Sequence, residues 1–251
     1  MKLLWEYSEI KTLINQRPNV KDGIVLDTNI LISLTYDFDK YFDSTNDFFN
    51  NLTEDQIPLF CNISVKSEFL EIQRRIIFTE ALLSFESATK LAILPIELAK
   101  KLASIRSNQQ KREKDNRDPL RLSDAEIKAF KQLMIKETKS SGNLWTEFCA
   151  ELINRTLHDV WNKTVEQFGF NFLSLRYTDK NNYMLNPPSW DKVIDLMSFE
   201  GLSSSDAMIL NMYYSTKFSA IVSNDFDIGH SVFSRNDSNE LCIFARRLEL
   251  N

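Results

Sequence analysis

The sequence predicts an α/β fold with a mostly parallel sheet. Residues 24–26 and 219–223, near opposite ends of the chain, contain short apolar runs without alternation. Such runs are typical of strands that are buried on both faces, as in parallel sheets. Segments with the apolar spacing of helices separate them, so we expect strands from distant parts of the chain to lie side by side in one sheet.

The composition indicates one sizeable domain, or one domain with an insertion, within 251 residues. The hydrophobic fraction of 43% and the scarcity of glycine and proline disfavour disorder. The sequence contains no run of about 18 apolar residues, so we expect no transmembrane helix. The acid at Glu6 comes too early in the chain for a secretory signal. The three cysteines are far apart and odd in number, which favours reduced thiols and a cytoplasmic protein.

The elements are predicted in chain order from these patterns and from capping signals. The first part contains a helix over 2–16, a strand that ends at Asp27, helices near 29–36 and 39–52, and a strand over 57–61 that leads into a long helix. The middle contains a helix that starts at the Ser123–Glu126 capping box and another that ends at Gly169. The last part contains helices over 190–200 and from Ser203, a strand over 219–223, and a run at 241–245 that could be an edge strand. We interpret residues 1–251 as a single domain with an N-terminal helix over 2–16 and a helical insertion at about 97–188.

The predicted topology brings several carboxylates together at one edge of the sheet. The sequence has no glycine-rich phosphate loop and no G-x-S-x-G motif, and its two histidines make zinc or Ser–His chemistry improbable. Acids instead follow the strands or open the helices: Asp27, Glu68 or Glu71, Asp206, and Asp225 with Asp227. If the strands are parallel neighbours, these acids meet at one edge of the sheet, and a hard divalent cation such as Mg²⁺ or Mn²⁺ would relieve their repulsion. That arrangement predicts metal-assisted hydrolysis of a phosphodiester.

Each acid also has an ordinary structural interpretation. Asp27 could cap a helix, and Asp206 could form a capping box with Ser203. Asp225 and Asp227 could be turn residues. Glu68 and Glu71 could form surface ion pairs with Lys66, Arg74 or Arg75. Taken together, four acids at strand ends or helix starts favour a site. A phosphatase of the haloacid dehalogenase type is disfavoured, because that chemistry uses a second Asp two residues after the first and position 29 is Asn.

Four segments together resemble the PIN-domain family: Val25–Asn29, Ser67–Leu70, Ser204–Ala207 and Ile221–Asp227. The resemblance covers about 20–95 and 189–250. It implies a Rossmann-like, three-layer α/β/α sandwich and an endoribonuclease site that requires Mg²⁺ or Mn²⁺. By motif, Asp27, Glu68, Asp206 and Asp225 would form the acidic quartet, Asp227 would be an additional ligand, and Thr28, Asn29, Ser223 and Asn224 would surround them. Glu71 also fits the position that we assign to Glu68.

The charge is unevenly distributed around a net value of −5, since residues 99–139 hold twelve Lys or Arg and six Asp or Glu. This basic segment could contact RNA phosphates without sequence preference, dock a protein partner, cover the site, or be a solvated helical face. The candidate RNA contacts are Arg74, Arg75, Lys100, Lys101, Arg106, Lys111, Arg112, Lys114, Arg117 and Arg121. We expect an endoribonuclease that acts on single-stranded or structured RNA, with a protein regulator or homo-oligomer as further partners; the alternative is a PIN-fold module that binds RNA or protein without cutting.

Overall fold

The computed structural model describes residues 4–6, 9–88, 96–115, 117–136, 144–235 and 240–245. Six strands in this part of the chain form one all-parallel sheet in the order β1-β6-β5-β2-β3-β4. They are β1 Leu4–Glu6, β2 Ile24–Leu26, β3 Leu59–Asn62, β4 Asn171–Leu173, β5 Ala220–Val222 and β6 Leu241–Phe244. The prediction of an α/β fold with a parallel sheet built from distant segments is therefore confirmed.

Helices make up most of the remaining described residues. They are α1 Ile10–Gln16, α2 Thr28–Thr35, α3 Phe42–Glu54, α4 Ile63–Ala88, α5 Ile96–Lys114, α6 Asp124–Lys136, α7 Leu144–Phe148, α8 Asn154–Phe168, α9 Tyr177–Tyr183, α10 Trp190–Glu200, α11 Ser204–Tyr214 and α12 Phe226–Ser234. A 3₁₀ turn, Pro18–Asp22, precedes β2, and a π-helical turn, Cys149–Ile153, precedes α8. No helix in the described ranges is long and apolar enough to cross a membrane.

The four strands β2, β3, β5 and β6 consist entirely of buried residues. This burial explains why their apolar runs do not alternate, since both faces of the sheet are covered. Gly23 enters β2 with φ of 145°, and a Cβ there would lie 2.5 Å from the Phe60 ring and 2.7 Å from the Phe218 ring. The two rings stack with centroids 4.3 Å apart, so only glycine fits this entry to the central strand.

The sheet order places a topological switch between β2 and β5. From β2 the chain proceeds to β3 on one side, whereas from β5 it proceeds to β6 on the other. The loops that leave these two neighbouring strands therefore diverge at their carboxyl ends, and open α/β sheets bind ligands at such a switch point. Asp27 directly follows β2, and Ser223, Asn224 and Asp225 directly follow β5.

The chain divides into two compact units. The described residues within 1–69 and 165–251 form the unit that contains the sheet, and residues of 70–164 form a helical unit. The helical unit has its own buried core, in which Phe78 stacks on Trp145 with centroids 5.3 Å apart and Phe85 meets Phe148 edge to face. Its Ser123–Glu126 capping box forms as predicted, since Glu126 accepts from the Ser123 amide at 2.7 Å and donates its own amide to Ser123 Oγ at 3.3 Å.

The structure differs from the predictions in three places. The predicted N-terminal helix over 2–16 is a strand at Leu4–Glu6 followed by a helix from Ile10, because the strand pairs with β6 and buries Trp5; residues 2, 3, 7 and 8 lie outside the described part. The insertion predicted at about 97–188 contains β4, which pairs with β3 in the sheet, and the compact helical unit is 70–164. The run 241–245 supplies β6, which lies between β5 and β1 and is not an edge strand.

Candidate active site

Asp27 lies at the switch point between β2 and β5. Its side chain is 3% exposed and accepts three hydrogen bonds, from the Thr28 amide, Asn29 Nδ2 and Ser223 Oγ, each at 2.6 Å. The bond from the Thr28 amide caps α2, so the capping interpretation also holds. Because Ser223 follows β5, Asp27 is held by groups from both strands at the switch point.

Asn29 ties the ends of these two strands together. Its Nδ2 donates to Asp27 Oδ2 and, at 3.1 Å, to Ser223 Oγ, while its Oδ1 accepts from the Asn224 amide at 3.0 Å. Ser223 Oγ also accepts from the Asp225 amide at 2.9 Å. The polar residues expected around the acids thus fix the orientation of Asp27 and of the turn that carries Asp225.

Glu68 lies in the same group, whereas Glu71 does not. Glu68 Oε2 accepts from Thr28 Oγ1 and from Ser205 Oγ, both at 2.8 Å. Glu71 is exposed and pairs with Arg74 on the helical unit; Arg74 also contacts Asp124. Glu71 lies about one turn, roughly 4.5 Å, further along α4, and the structure links only Glu68 to the residues beside Asp27.

Asp206 and Asp225 both occupy helix starts. Asp206 Oδ2 accepts from Ser203 Oγ at 2.6 Å, and the Asp206 amide donates to Ser203 Oγ at 3.2 Å. Asp225 caps α12, because its Oδ1 accepts from the Asp227 amide at 2.8 Å. Asp227 itself is exposed in the first turn of that helix, and its charge contributes to the raised pKa of Asp206.

The electrostatics of these acids show that they are close to one another. Burial raises the pKa of Asp27 to about 7, the bonds from Ser223 and Thr28 oppose this, and the charges of Glu68 and Asp206 raise it further. Burial is also the largest cause of the raised pKa of Asp206, to which Asp225, Glu68 and Asp227 add like charge. Several carboxylates that share a partly buried site resist ionisation unless a cation is present.

The donor chemistry of the group fits a hard divalent cation. Glu68, Asp206 and Asp225 each use one carboxylate oxygen in the bonds above, and the other oxygen accepts no hydrogen bond from the described residues. One held oxygen and one available oxygen is the usual state of a carboxylate that ligates Mg²⁺. Even so, no group of three or more His, Cys, Asp or Glu in the described ranges is arranged to hold a metal ion, so ligation would require side-chain rotation.

Two serines of the group were not among the predicted site residues. Ser205 orients Glu68, and Ser203 orients Asp206. The run Ser203–Asp206 predicts a helix start. A hydrogen bond between two helices over 137 residues, as between Ser205 on α11 and Glu68 on α4, has no signal in one sequence.

The predicted RNA-binding cations all belong to the helical unit. Several form contacts within that unit: Arg75 donates to the Leu122 carbonyl, Lys100 pairs with Glu97, Lys101 lies over the Phe130 ring, Arg106 donates to the Leu83 carbonyl, Arg112 donates to the Asp118 carbonyl, and Arg117 pairs with Asp115. Such contacts tie helices and loops of the unit together. RNA binding by Arg74, Arg75, Lys100, Lys101, Arg106, Lys111, Arg112, Lys114, Arg117 and Arg121 stays a prediction.

Comparisons of the chain with protein-family models, with curated proteins and with solved structures found no match.

Proposed function

We propose that this chain is a metal-dependent endoribonuclease with a PIN-like, Rossmann-like three-layer architecture. The observation that carries the proposal is the group of carboxylates from four separate segments, Asp27, Glu68, Asp206 and Asp225, at the switch point of a parallel sheet. Two of these acids have raised pKa values because of burial and like charge. The main causes of both shifts are burial, hydrogen bonds and like charge, and no cationic side chain is among them, so ion pairing does not explain why these acids are grouped.

Asp27, Asp206 and Asp225 would hold Mg²⁺ or Mn²⁺, with Asp227 as an additional ligand. When bound, the ion supplies an activated water and neutralises charge that develops on the phosphodiester. Glu68, fixed by Thr28 and Ser205, would accept a proton from the attacking water or orient that water. Asn29 and Ser223 keep Asp27 in a fixed position by donating to its Oδ2.

The substrate class, RNA, is supported by the resemblance of the four acidic segments to PIN domains. A cytoplasmic location agrees with the three free cysteines, of which Cys61 and Cys242 are buried. The rival proposal is a module that binds RNA or protein without cutting. It is favoured by the absence of a ready ligand set among the described acids.

The test is cleavage of an end-labelled single-stranded RNA with Mg²⁺, Mn²⁺ or EDTA. Wild type should cut only with metal, Asp206→Asn and Glu68→Gln should reduce the rate by at least about 100-fold, and Glu71→Gln should cut like wild type. Circular dichroism of each variant verifies folding. Binding without cutting in every metal would favour the non-catalytic module, and equal cutting by all variants would refute the assigned site.

A further inference from the structure

A second feature of the sheet-containing unit is a cavity of about 170 Å³ beside the acids. It is lined by residues at the start of α4, after β4, at the start of α10 and along α11, among them Ser64, Leu175, Trp190, Met208 and Asn211. The volume is below the range of about 300–1,000 Å³ that is typical of sites for whole drug-sized ligands. It suits a single ring system instead.

The cavity adjoins the acidic group along two helices. Ser64 precedes Glu68 by four residues, so both lie on one face of α4, about 6 Å apart along its axis. Met208 follows Ser205 by three residues on α11, and Ser205 donates to Glu68. Ser64 is therefore about one helical turn from Glu68, and Met208 is about one turn from Ser205, which donates to Glu68. These separations are short enough for one nucleotide to reach both the cavity and Glu68.

The lining residues combine exposed apolar surface with two buried polar atoms that lack partners. Trp190 is 64% exposed and Leu175 is 47% exposed, so a flat ring is available for stacking. Ser64 and Asn211 are 6% and 4% exposed, and their Oγ and Oδ1 atoms form no hydrogen bond within the described structure. Buried polar atoms without partners are uncommon and call for a specific ligand or function.

We propose that this cavity binds the base of a nucleotide next to the phosphodiester at the acidic group. A base has a flat face that can stack on Trp190. Its edge N–H groups can donate to the Ser64 and Asn211 oxygens once these side chains turn toward the cavity. A base that enters a cavity is not paired, so the enzyme would select unpaired strands. This inference rests on the proposed ribonuclease function and names the form of its substrate.

The experiment measures binding, not cutting, of a labelled eight-nucleotide single-stranded RNA in EDTA, by fluorescence anisotropy. The RNA is used intact and as a series in which one position at a time is abasic. Trp190→Ala should weaken binding of intact RNA by about tenfold or more. One abasic position should cause a similar loss with wild type and almost no further loss with Trp190→Ala.

Phe199→Ala is the matched control, because Phe199 is 85% exposed on the same helix and does not line the cavity. It should bind both RNAs like wild type. The inference is overturned if no abasic position matters, if Phe199→Ala weakens binding as much as Trp190→Ala, or if intact RNA does not bind. Base-dependent binding by a protein that fails to cut with any metal would refute the nuclease proposal and leave the base site standing.

Discussion

Replacing Asp27 by Asn is expected to stabilise the metal-free protein at pH 8 and to remove much of its pH dependence between pH 4 and pH 8. Asp27 is buried, and its pKa is raised from 3.8 to about 7, mainly by burial and further by Glu68 and Asp206. Each tenfold change in the ionisation equilibrium corresponds to about 1.4 kcal/mol, so ionising Asp27 costs about 4 kcal/mol more in the folded protein than in the unfolded chain.

The direction follows from linkage between proton binding and folding. Because the folded pKa of Asp27 is above its unfolded value, its contribution to stability is complete below about pH 4 and is lost as the pH rises through about 7. An Asn at position 27 carries no charge at any pH. Its side-chain amide NH₂ group would face the Asn29 Nδ2 donor, however, and the lost hydrogen bond costs about 1–2 kcal/mol. The net gain expected for Asp27→Asn at pH 8 is therefore about 2 kcal/mol.

The assay is urea denaturation in EDTA at pH 4, 6 and 8, followed by circular dichroism. Asp22→Asn is the control, because it makes the same substitution at an exposed position in the turn before β2, and it should not stabilise the protein at pH 8. Adding Mg²⁺ or Mn²⁺ at pH 8 should stabilise wild type by about 2.7 kcal/mol at 100 times the dissociation constant and should not stabilise Asp27→Asn. A variant that is destabilised equally at pH 4 and pH 8 would refute the reasoning.

Three further predictions follow from the same geometry. Ser205→Ala should lower the cleavage rate while keeping the fold, because Glu68 loses one of its two hydroxyl donors, whereas Ser204→Ala, at an exposed neighbour, should leave the rate unchanged; equal rates for both would contradict this role. Ser223→Ala should shift the pH profile of cleavage upward, because the bond from Ser223 lowers the pKa of Asp27; a profile unchanged in Mg²⁺ would argue against it. Gly23→Ala should lower the free energy of unfolding by about 2–4 kcal/mol in denaturant titrations, since its Cβ would collide with two rings; Gly201→Ala has open space and should cost about 1 kcal/mol.

The sequence alone determined the local elements whose signals are local. The unalternated apolar runs before Asp27 and Ser223 became β2 and β5, and the serine caps set the starts of α10 and α11. Periodicity and capping depend on neighbours within a few residues, so one sequence is enough to show them.

Tertiary structure decided which distant segments meet. Leu4–Glu6 fits the apolar spacing of a helix, but it pairs with β6 and is a strand. The strand β4 pairs with β3 although the sequence around it predicts helices. Glu68 and Glu71 are equivalent in the sequence, and only the hydroxyls of Thr28 and Ser205 distinguish them. The raised pKa of Asp27 likewise arises from burial among segments nearly 200 residues apart. Such contacts are selected by the packing of the whole sheet-containing unit, because hydrogen bonds and burial between distant segments leave no periodic trace along the chain.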